Sequence, residues 1–171
     1  MPRNVLKSRK VLAPDNVQCC EYYKNLNDKT DDELVWYYIG DAHTDKIMQG
    51  RLLYVLILRE QELNGRPGKV LQLMAGPGRN YPVLKSKFNE VEMLEQAPRL
   101  TKMIPWEVKL YEMRVQDFEW PIEEYECVVG VWCLCYLNYE DQQQLISRAD
   151  RAVKEGGHLI FFEPVLNDDE E

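Results

Sequence analysis

The sequence lacks several features that would assign it to a common functional class. No apolar run reaches the length of about 18 residues that a membrane-spanning helix needs. Only two histidines occur and the five cysteines form no C-x-x-C pair, so we expect neither a metal site nor a disulfide framework. The net charge of −8 provides no overall positive field, which argues against nucleic acid as a partner.

Cysteine usage and the first residues bear on the cellular compartment. Cys19 and Cys20 are adjacent, and Cys133 and Cys135 share a strand-like run, which is not the spacing of a disulfide-rich secreted protein. The first 14 residues contain four basic residues and no acidic one, a composition found in basic tails and in mitochondrial presequences. We expect an intracellular, cytoplasmic protein, with mitochondrial import as the alternative.

The length and composition predict one domain flanked by an extension and a tail. With 171 residues, of which 45% are hydrophobic, the chain can build one substantial core. We expect residues 1–45 to form an N-terminal extension, residues 46–165 an α/β domain, and residues 166–171 an acidic tail. Within the extension, Thr30 and Glu33 have the spacing of a helix capping box.

Residues 46–163 show a regular alternation of segments. Residues 46–63 place apolar side chains on one broad face, which predicts a helix. Strands are predicted at 69–74, 90–95, 107–112, 126–132 and 157–163, and helices at 79–87, 97–103 and 139–154. Nearly continuous apolar strands that alternate with helices are typical of a doubly wound α/β fold with a mostly parallel sheet.

A glycine-containing loop follows the first strand of this alternation. Gly76 and Gly78 allow the backbone to approach a ligand closely and to point N–H groups at it. Glu95 ends the next predicted strand, where a carboxylate can accept hydrogen bonds from ribose hydroxyls. Together the loop and the acid indicate a nucleoside-binding site.

Three segments of the chain resemble the protein α-N-terminal methyltransferases in matching order. They are Val-Glu-Met-Leu-Glu at 91–95, Gln-Asp-Phe at 116–118 and Trp-Cys-Leu-Cys-Tyr-Leu at 132–137. Members of that family transfer a methyl group from S-adenosylmethionine to the free α-amine of protein chains that begin X-Pro-Lys. The resemblance covers residues 69–163 and implies a class I methyltransferase fold with S-adenosylmethionine as cofactor.

The resemblance also implies a role for individual residues. The implied cofactor-binding residues are Gly76, Gly78, Arg79, Glu95, Val115 and Gln116. Arg79, at a helix start, would pair with the methionine carboxylate of the cofactor. Trp132 would pack on the proline of the substrate. Taken without the family pattern, Trp132 is equally typical of a protein core, Gln116 of a turn and Arg79 of a solvent-facing side chain.

The sequence departs from the family pattern at positions that matter for chemistry. Gln72 replaces an acidic residue, Met74 replaces the first loop glycine, and Pro164 replaces an asparagine. Tyr136 replaces the histidine that handles the amine proton, and a phenol with its ordinary pKa of about 10 is a weak base. The departures favour a catalytically weak or silent protein that serves as a subunit of a larger assembly. An active α-N-terminal methyltransferase is the alternative.

The predicted sheet is shortened at its C-terminal edge. Sheets of this methyltransferase class usually have two further strands, whereas here the fifth predicted strand is followed by the acidic residues 168–171. An open apolar edge is a liability unless another chain covers it. We therefore expect other protein subunits at this edge. A domain shortened in evolution and a fragment of a longer chain are the alternatives.

Overall fold

The computed structural model describes residues 5–7, 42–59 and 68–163. In chain order their elements are β1 (Val5–Lys7), α1 (Ala42–Arg59), β2 (Lys69–Leu73), α2 (Tyr81–Lys87), β3 (Glu90–Leu94), α3 (Pro98–Thr101), β4 (Lys109–Glu112), β5 (Tyr125–Val131), α4 (Tyr139–Ala152) and β6 (Val153–Phe162). Two single-turn 3-10 helices lie at Val115–Asp117 and Leu134–Tyr136. The described elements form the predicted α/β fold.

The described strands form one parallel sheet in the order β1-β4-β3-β2-β5-β6. The central strand β2 has β3 on one side and β5 on the other, and Leu73 is level with Leu94 of β3 and Gly130 of β5. After β2 the chain forms β3 and β4 on the first side and then crosses to form β5 and β6 on the second. This reversal of direction is a topological switch point. In open parallel sheets the crevice outside the carboxyl ends of the strands at such a point is the usual ligand site.

Both faces of the sheet are covered, which explains why most residues of the central strands are apolar. One buried cluster joins strand residues to α1 and α2, and includes Leu52, Leu56, Val70, Leu84, Met93 and Val129. The cluster on the other face joins the sheet to α4, and includes Leu71, Leu73, Val128, Leu145, Ala149 and Ala152. Helices on both faces are the doubly wound arrangement that the alternation predicted.

A buried acid organises the sheet near the amino ends of its strands. Glu92 is only 1% exposed. Its carboxylate accepts hydrogen bonds from the hydroxyls of Tyr111 at 2.8 Å and Tyr125 at 2.9 Å, and lies 3.0 Å from Lys109 Nζ and 3.2 Å from Lys69 Nζ. Burial alone would raise the pKa of Glu92, but the hydrogen bonds from Lys109 and the two tyrosines hold this pKa below its ordinary value. The cluster therefore stabilises the sheet as a charged unit.

The structure differs from the sequence prediction at several element boundaries. Helix α4 ends at Ala152 and β6 begins directly at Val153, four residues before the predicted strand. Val153 pairs with Tyr125 and His158 pairs with Cys127, so the residues between them bulge out of register. Such a bulge hides a strand start, because its residues leave the apolar alternation of the ladder.

The described part of the N-terminal half includes the strand β1. Strand β1 lies within the predicted extension and pairs in parallel with β4, Val5 level with Leu110. Helix α1 begins at Ala42, four residues before its predicted start. The predicted capping box at Thr30 and the acidic tail lie outside the described residues. The division of the chain at residue 45 stays a prediction.

Candidate functional site

The carboxyl ends of β2, β3, β5 and β6 converge on the switch point. The loop after β2 begins at Met74, Glu95 follows β3, Trp132 follows β5 and Glu163 follows β6. Because all four strands are parallel, these residues lie along one edge of the sheet. The sequence prediction placed its cofactor and substrate residues on this same edge.

The glycine loop is tightly folded and tied to the neighbouring strand. Gly76 and Gly78 adopt positive φ angles of 56° and 81°, which glycine accepts without steric cost. The Gly76 N–H donates to Glu95 Oε2 at 2.8 Å. A Cβ at Gly78 would lie 3.2 Å from Ile104 Cγ1, so this glycine also permits close packing against the segment after α3. Gly76 therefore faces the acid, and Gly78 faces the body of the domain.

Glu95 is held as a buried acceptor. It is 2% exposed, and Oε1 accepts from the Ala97 N–H at 2.8 Å while Oε2 accepts from Gly76. Burial raises the pKa of Glu95, and the backbone N–H groups of Ala97, Gly76 and Gln96 oppose that rise. A carboxylate has about four acceptor positions, so two backbone donors leave capacity for other donors.

Met74 narrows the space beside this acid. It adopts a φ angle of 45°, a left-handed conformation that side chains other than glycine rarely take. A cavity at this point is lined by Met74, Leu94, Gln96, Met113, Arg114, Val115, Gln116 and Leu137. The cavity has a volume of about 20 Å³, which is close to the minimum that one ordered water molecule needs. The predicted crowding at Met74 thus coincides with a strained backbone.

Two of the predicted adenine-side residues form one wall of this cavity. Val115 is buried, and Gln116 is half-buried in the 3-10 helix after β4. The Gln116 side-chain amide donates to Asp141 Oδ2 at 3.2 Å, and the Gln116 backbone carbonyl oxygen accepts from Arg148 Nη1 at 3.4 Å. Helix α4 therefore fixes the position of Gln116 from behind.

Arg79 lies two residues before α2 rather than within its first turn. Its carbonyl oxygen accepts from Gln49 Nε2 at 3.0 Å, which joins the end of the glycine loop to α1. The Nε and Nη2 atoms of Arg79 are buried. The structure therefore excludes the solvent-facing alternative for these two atoms, and the role of Arg79 toward a cofactor stays a prediction.

The turn after β5 is the most constrained segment of the edge. Trp132 has a φ angle of 52° although its side chain is 46% exposed, and its N–H donates to the Phe162 carbonyl at 2.8 Å. A Cβ at Gly130 would lie 2.5 Å from both Cys133 Sγ and the Phe161 ring. Backbone strain at an exposed aromatic residue is unusual in a purely structural element and points to a functional position.

Helix α4 supports the following 3-10 turn, which contains Tyr136. Gln142 Nε2 donates to the carbonyl oxygens of Leu134 and Leu137, both at 3.0 Å. The Tyr136 N–H donates to the Cys133 carbonyl at 3.4 Å, and the Tyr136 side chain is partly exposed. Tyr136 thus lies in the turn that follows Trp132, and its catalytic role stays a prediction.

Two polar residues at this edge, Glu163 and Gln72, are not among the predicted site residues, and Gln72 is noted only as a departure from the family pattern. Glu163 Oε1 accepts from the N–H groups of Cys133 at 2.8 Å and Leu134 at 3.0 Å, while Oε2 is buried and meets no donor among the described residues. Gln72 is 2% exposed, and its Oε1 likewise lacks a donor there. An acid directly after a strand is the signal that identified Glu95, and it applies equally to Glu163.

The described ranges contain neither a metal-binding cluster nor a helix suited to cross a membrane. No group of three or more histidine, cysteine or acidic side chains in residues 5–7, 42–59 and 68–163 is placed to hold a metal ion. In the same ranges, no helix combines the length and apolar character that crossing a bilayer requires.

The fold and its edge agree with the known proteins that this chain resembles. Residues 67–161, more than half of the chain, match the family model described as a methyltransferase domain. The chain therefore belongs to the methyltransferase domain family. No curated protein sequence matches it.

Three solved structures share the fold at low sequence identity. A S-adenosylmethionine-dependent methyltransferase from Leishmania major superposes with a TM-score of 0.70 and 16% identity over 84% of this chain and 58% of that one. DesVI from Streptomyces venezuelae superposes with a TM-score of 0.67 and 14% identity, over 84% of this chain and 61% of that one. The sugar N-methyltransferase KedS8 from a Streptoalloteichus species superposes with a TM-score of 0.64 and 15% identity, over 80% of this chain and 54% of that one. This chain thus spans less than two thirds of each neighbour. The fold class is confirmed as that of S-adenosylmethionine-dependent methyltransferases.

Proposed function

We propose that this chain binds S-adenosylmethionine at the carboxyl edge of its sheet and methylates an amine, with the free α-amine of an X-Pro-Lys protein N-terminus as the candidate acceptor. The hydrogen bond from Gly76 to Glu95 is the observation that carries the proposal, because it joins the glycine loop to the acid at the switch point. Family membership supports the choice of cofactor, which is also named for the Leishmania major neighbour.

The polar groups at the edge suit the parts of this cofactor. The free acceptor capacity of Glu95 suits the two ribose hydroxyls, since hydrogen bonds to a charged acceptor are the stronger ones. Gln72 Oε1 is a buried acceptor without a donor in the described part of the chain, and an ammonium group would satisfy it. Val115 and Gln116 suit the adenine ring, and Arg79 suits the carboxylate. When bound, S-adenosylmethionine supplies a methyl group on a sulfonium centre.

The residues on the substrate side suit an amine acceptor next to a proline. Trp132 presents a half-exposed aromatic surface on which a proline ring can pack. Tyr136 follows in the adjoining turn and is the candidate group for the amine proton. Because an ordinary tyrosine is a weak base at neutral pH, we expect slow turnover.

Calorimetric titration with S-adenosylmethionine tests the cofactor proposal. We expect saturable binding that Glu95→Ala weakens at least about tenfold, because hydrogen bonds to a charged group contribute about 1.5 to 3 kcal/mol each. Glu95→Gln keeps an acceptor for a backbone N–H and should weaken binding less. Glu90→Ala, an exposed position on the same strand, is the matched control and should bind normally. The absence of binding heat with the unaltered chain would refute the proposal.

A catalytically silent subunit is the second candidate function. It is supported by Met74, whose side chain narrows the cavity beside Glu95, and by Tyr136 in place of a histidine. It is also supported by β6, which pairs only with β5 among the described strands and so leaves its outer side for another protein subunit. This function predicts stable co-purification with other proteins. A monomer that methylates an X-Pro-Lys peptide would end this alternative.

A further inference from the structure

Glu163 is anchored where β5 and β6 end side by side. Val131 is level with Phe162, and the Trp132 N–H donates to the Phe162 carbonyl at 2.8 Å. One residue later, Glu163 Oε1 accepts two backbone N–H groups of the turn after β5. The acid therefore fixes the backbone that directly follows Trp132, and its carboxylate cannot turn freely toward solvent.

The second oxygen of this carboxylate lacks a donor in the described part of the chain. Glu163 Oε2 is buried with no hydrogen-bond partner, and no lysine or arginine of that part lies within ion-pair distance of Glu163. A buried acceptor left unpaired is costly, more so on a charged group. The residue as a whole is partly exposed, although this oxygen is not.

The surroundings of Glu163 favour a cation as that donor. Burial, and next the negative charge of Glu163, raise the pKa of the Cys133 and Cys135 thiols, so both neighbours are uncharged at neutral pH. Trp132 offers a half-exposed indole beside the same turn. An aromatic face and a carboxylate together are a favourable environment for an ammonium group.

We infer that Glu163 and Trp132 form a recognition site for the protonated amine of the methyl acceptor, Glu163 Oε2 accepting its N–H and the Trp132 ring packing against it. This inference rests on the proposed function, since it names the group by which the same edge selects its acceptor. Glu163 occupies neither the position of the family's histidine nor that of its asparagine, so the inference adds a further specificity-determining residue. Blocking the amine by acetylation removes both its charge and most of its donors, so an acetylated chain is rejected.

A peptide pair tests the inference without cofactor. The probes are the hexapeptide Ala-Pro-Lys-Ala-Ala-Ala and its N-acetylated form, titrated by calorimetry at about pH 6.5, where an α-amine with a pKa near 8 is protonated. We expect the free peptide to bind the unaltered protein at least about tenfold more tightly than the acetylated one. Equal affinities would overturn the inference.

Variants then assign the effect to the carboxylate. Glu163→Gln keeps an oxygen that can accept from the Cys133 N–H and should abolish the difference between the two peptides. Glu163→Asp keeps the charge and should retain part of the difference in affinity between the two peptides. Glu155→Gln, an exposed position on the same strand with the same change in net charge, should leave the difference intact. A Glu163→Gln protein that still discriminates would refute the assignment. A separate titration with S-adenosylmethionine judges the proposed function, so the two failures are distinguishable.

Discussion

Replacing Met74 by glycine should improve cofactor binding and should leave the protein more stable than replacing it by alanine, the reverse of the usual order of these two substitutions. The left-handed backbone costs a residue with a Cβ about 1 to 2 kcal/mol. Glycine avoids this cost, but its greater freedom in the unfolded chain lowers the stability by about 0.5 to 1 kcal/mol. Met74→Gly should therefore be about 0.5 to 1 kcal/mol more stable than Met74→Ala, which removes the same side chain but keeps the strain.

Thermal unfolding of both variants measures this difference. For a chain of this size we expect the unfolding midpoint of Met74→Gly to exceed that of Met74→Ala by about 1 to 4 °C. Both variants should bind S-adenosylmethionine more tightly than the unaltered protein, because each enlarges the cavity of about 20 Å³ beside Gln116. Met113→Ala, on the same cavity, is the control for enlargement alone. A Met74→Gly protein less stable than Met74→Ala would refute the reasoning.

Two further predictions concern the body of the domain. Glu92→Gln should destabilise the fold by about 1 to 3 kcal/mol near neutral pH, since it removes the charged acceptor that Lys109, Tyr111 and Tyr125 share. Because the folded-state pKa of Glu92 is lowered, its contribution is present above the ordinary carboxyl pKa and is lost as the pH falls through the lowered one. Glu92→Gln should therefore flatten the acid side of the stability curve, and an unchanged acid side would contradict this. Gly130→Ala should cost about 1 to 3 kcal/mol, because its Cβ would overlap Cys133 Sγ. Gly50→Ala, in α1 with open space around it, should be neutral or stabilising in the same denaturation series, and the reverse order would show that packing at Gly130 is misread.

The sequence predicted the fold because its central strands carry the information locally. Most residues in β2 and β3 are apolar, with Gln72 and Glu92 as the exceptions inside the strands, and such a pattern is typical of short strands that are buried on both faces. The start of β6 could not be read this way, since Lys154, Glu155 and Gly156 leave the register of the ladder. Strand β1 was equally hidden, because three residues carry too little pattern to predict a pairing with a distant strand.

The candidate site was predictable in outline and less so in chemistry. The glycine loop and Glu95 follow from residue type and position, whereas the link between them depends on the parallel register of β2 and β3. The bulk of Met74 could be foreseen, but its positive φ arises from loop closure in three dimensions. Glu163 ends a predicted strand, but its position in the sequence does not show which groups its carboxylate contacts. Only the tertiary fold shows that its carboxylate accepts a hydrogen bond from the Cys133 N–H, in the turn after Trp132.

The pairing of β1 with β4 has a consequence for how the domain assembles. Val5 meets Leu110 roughly 100 positions later in the chain, so this contact closes a far longer loop than the pairings of β2 with β3. Contacts of such high sequence separation form late, and a ladder of three residues repays little of the closure entropy. The central strands β3, β2 and β5 are therefore the natural folding nucleus. The β1 edge is the part of the sheet that joins last and exchanges its amide hydrogens first.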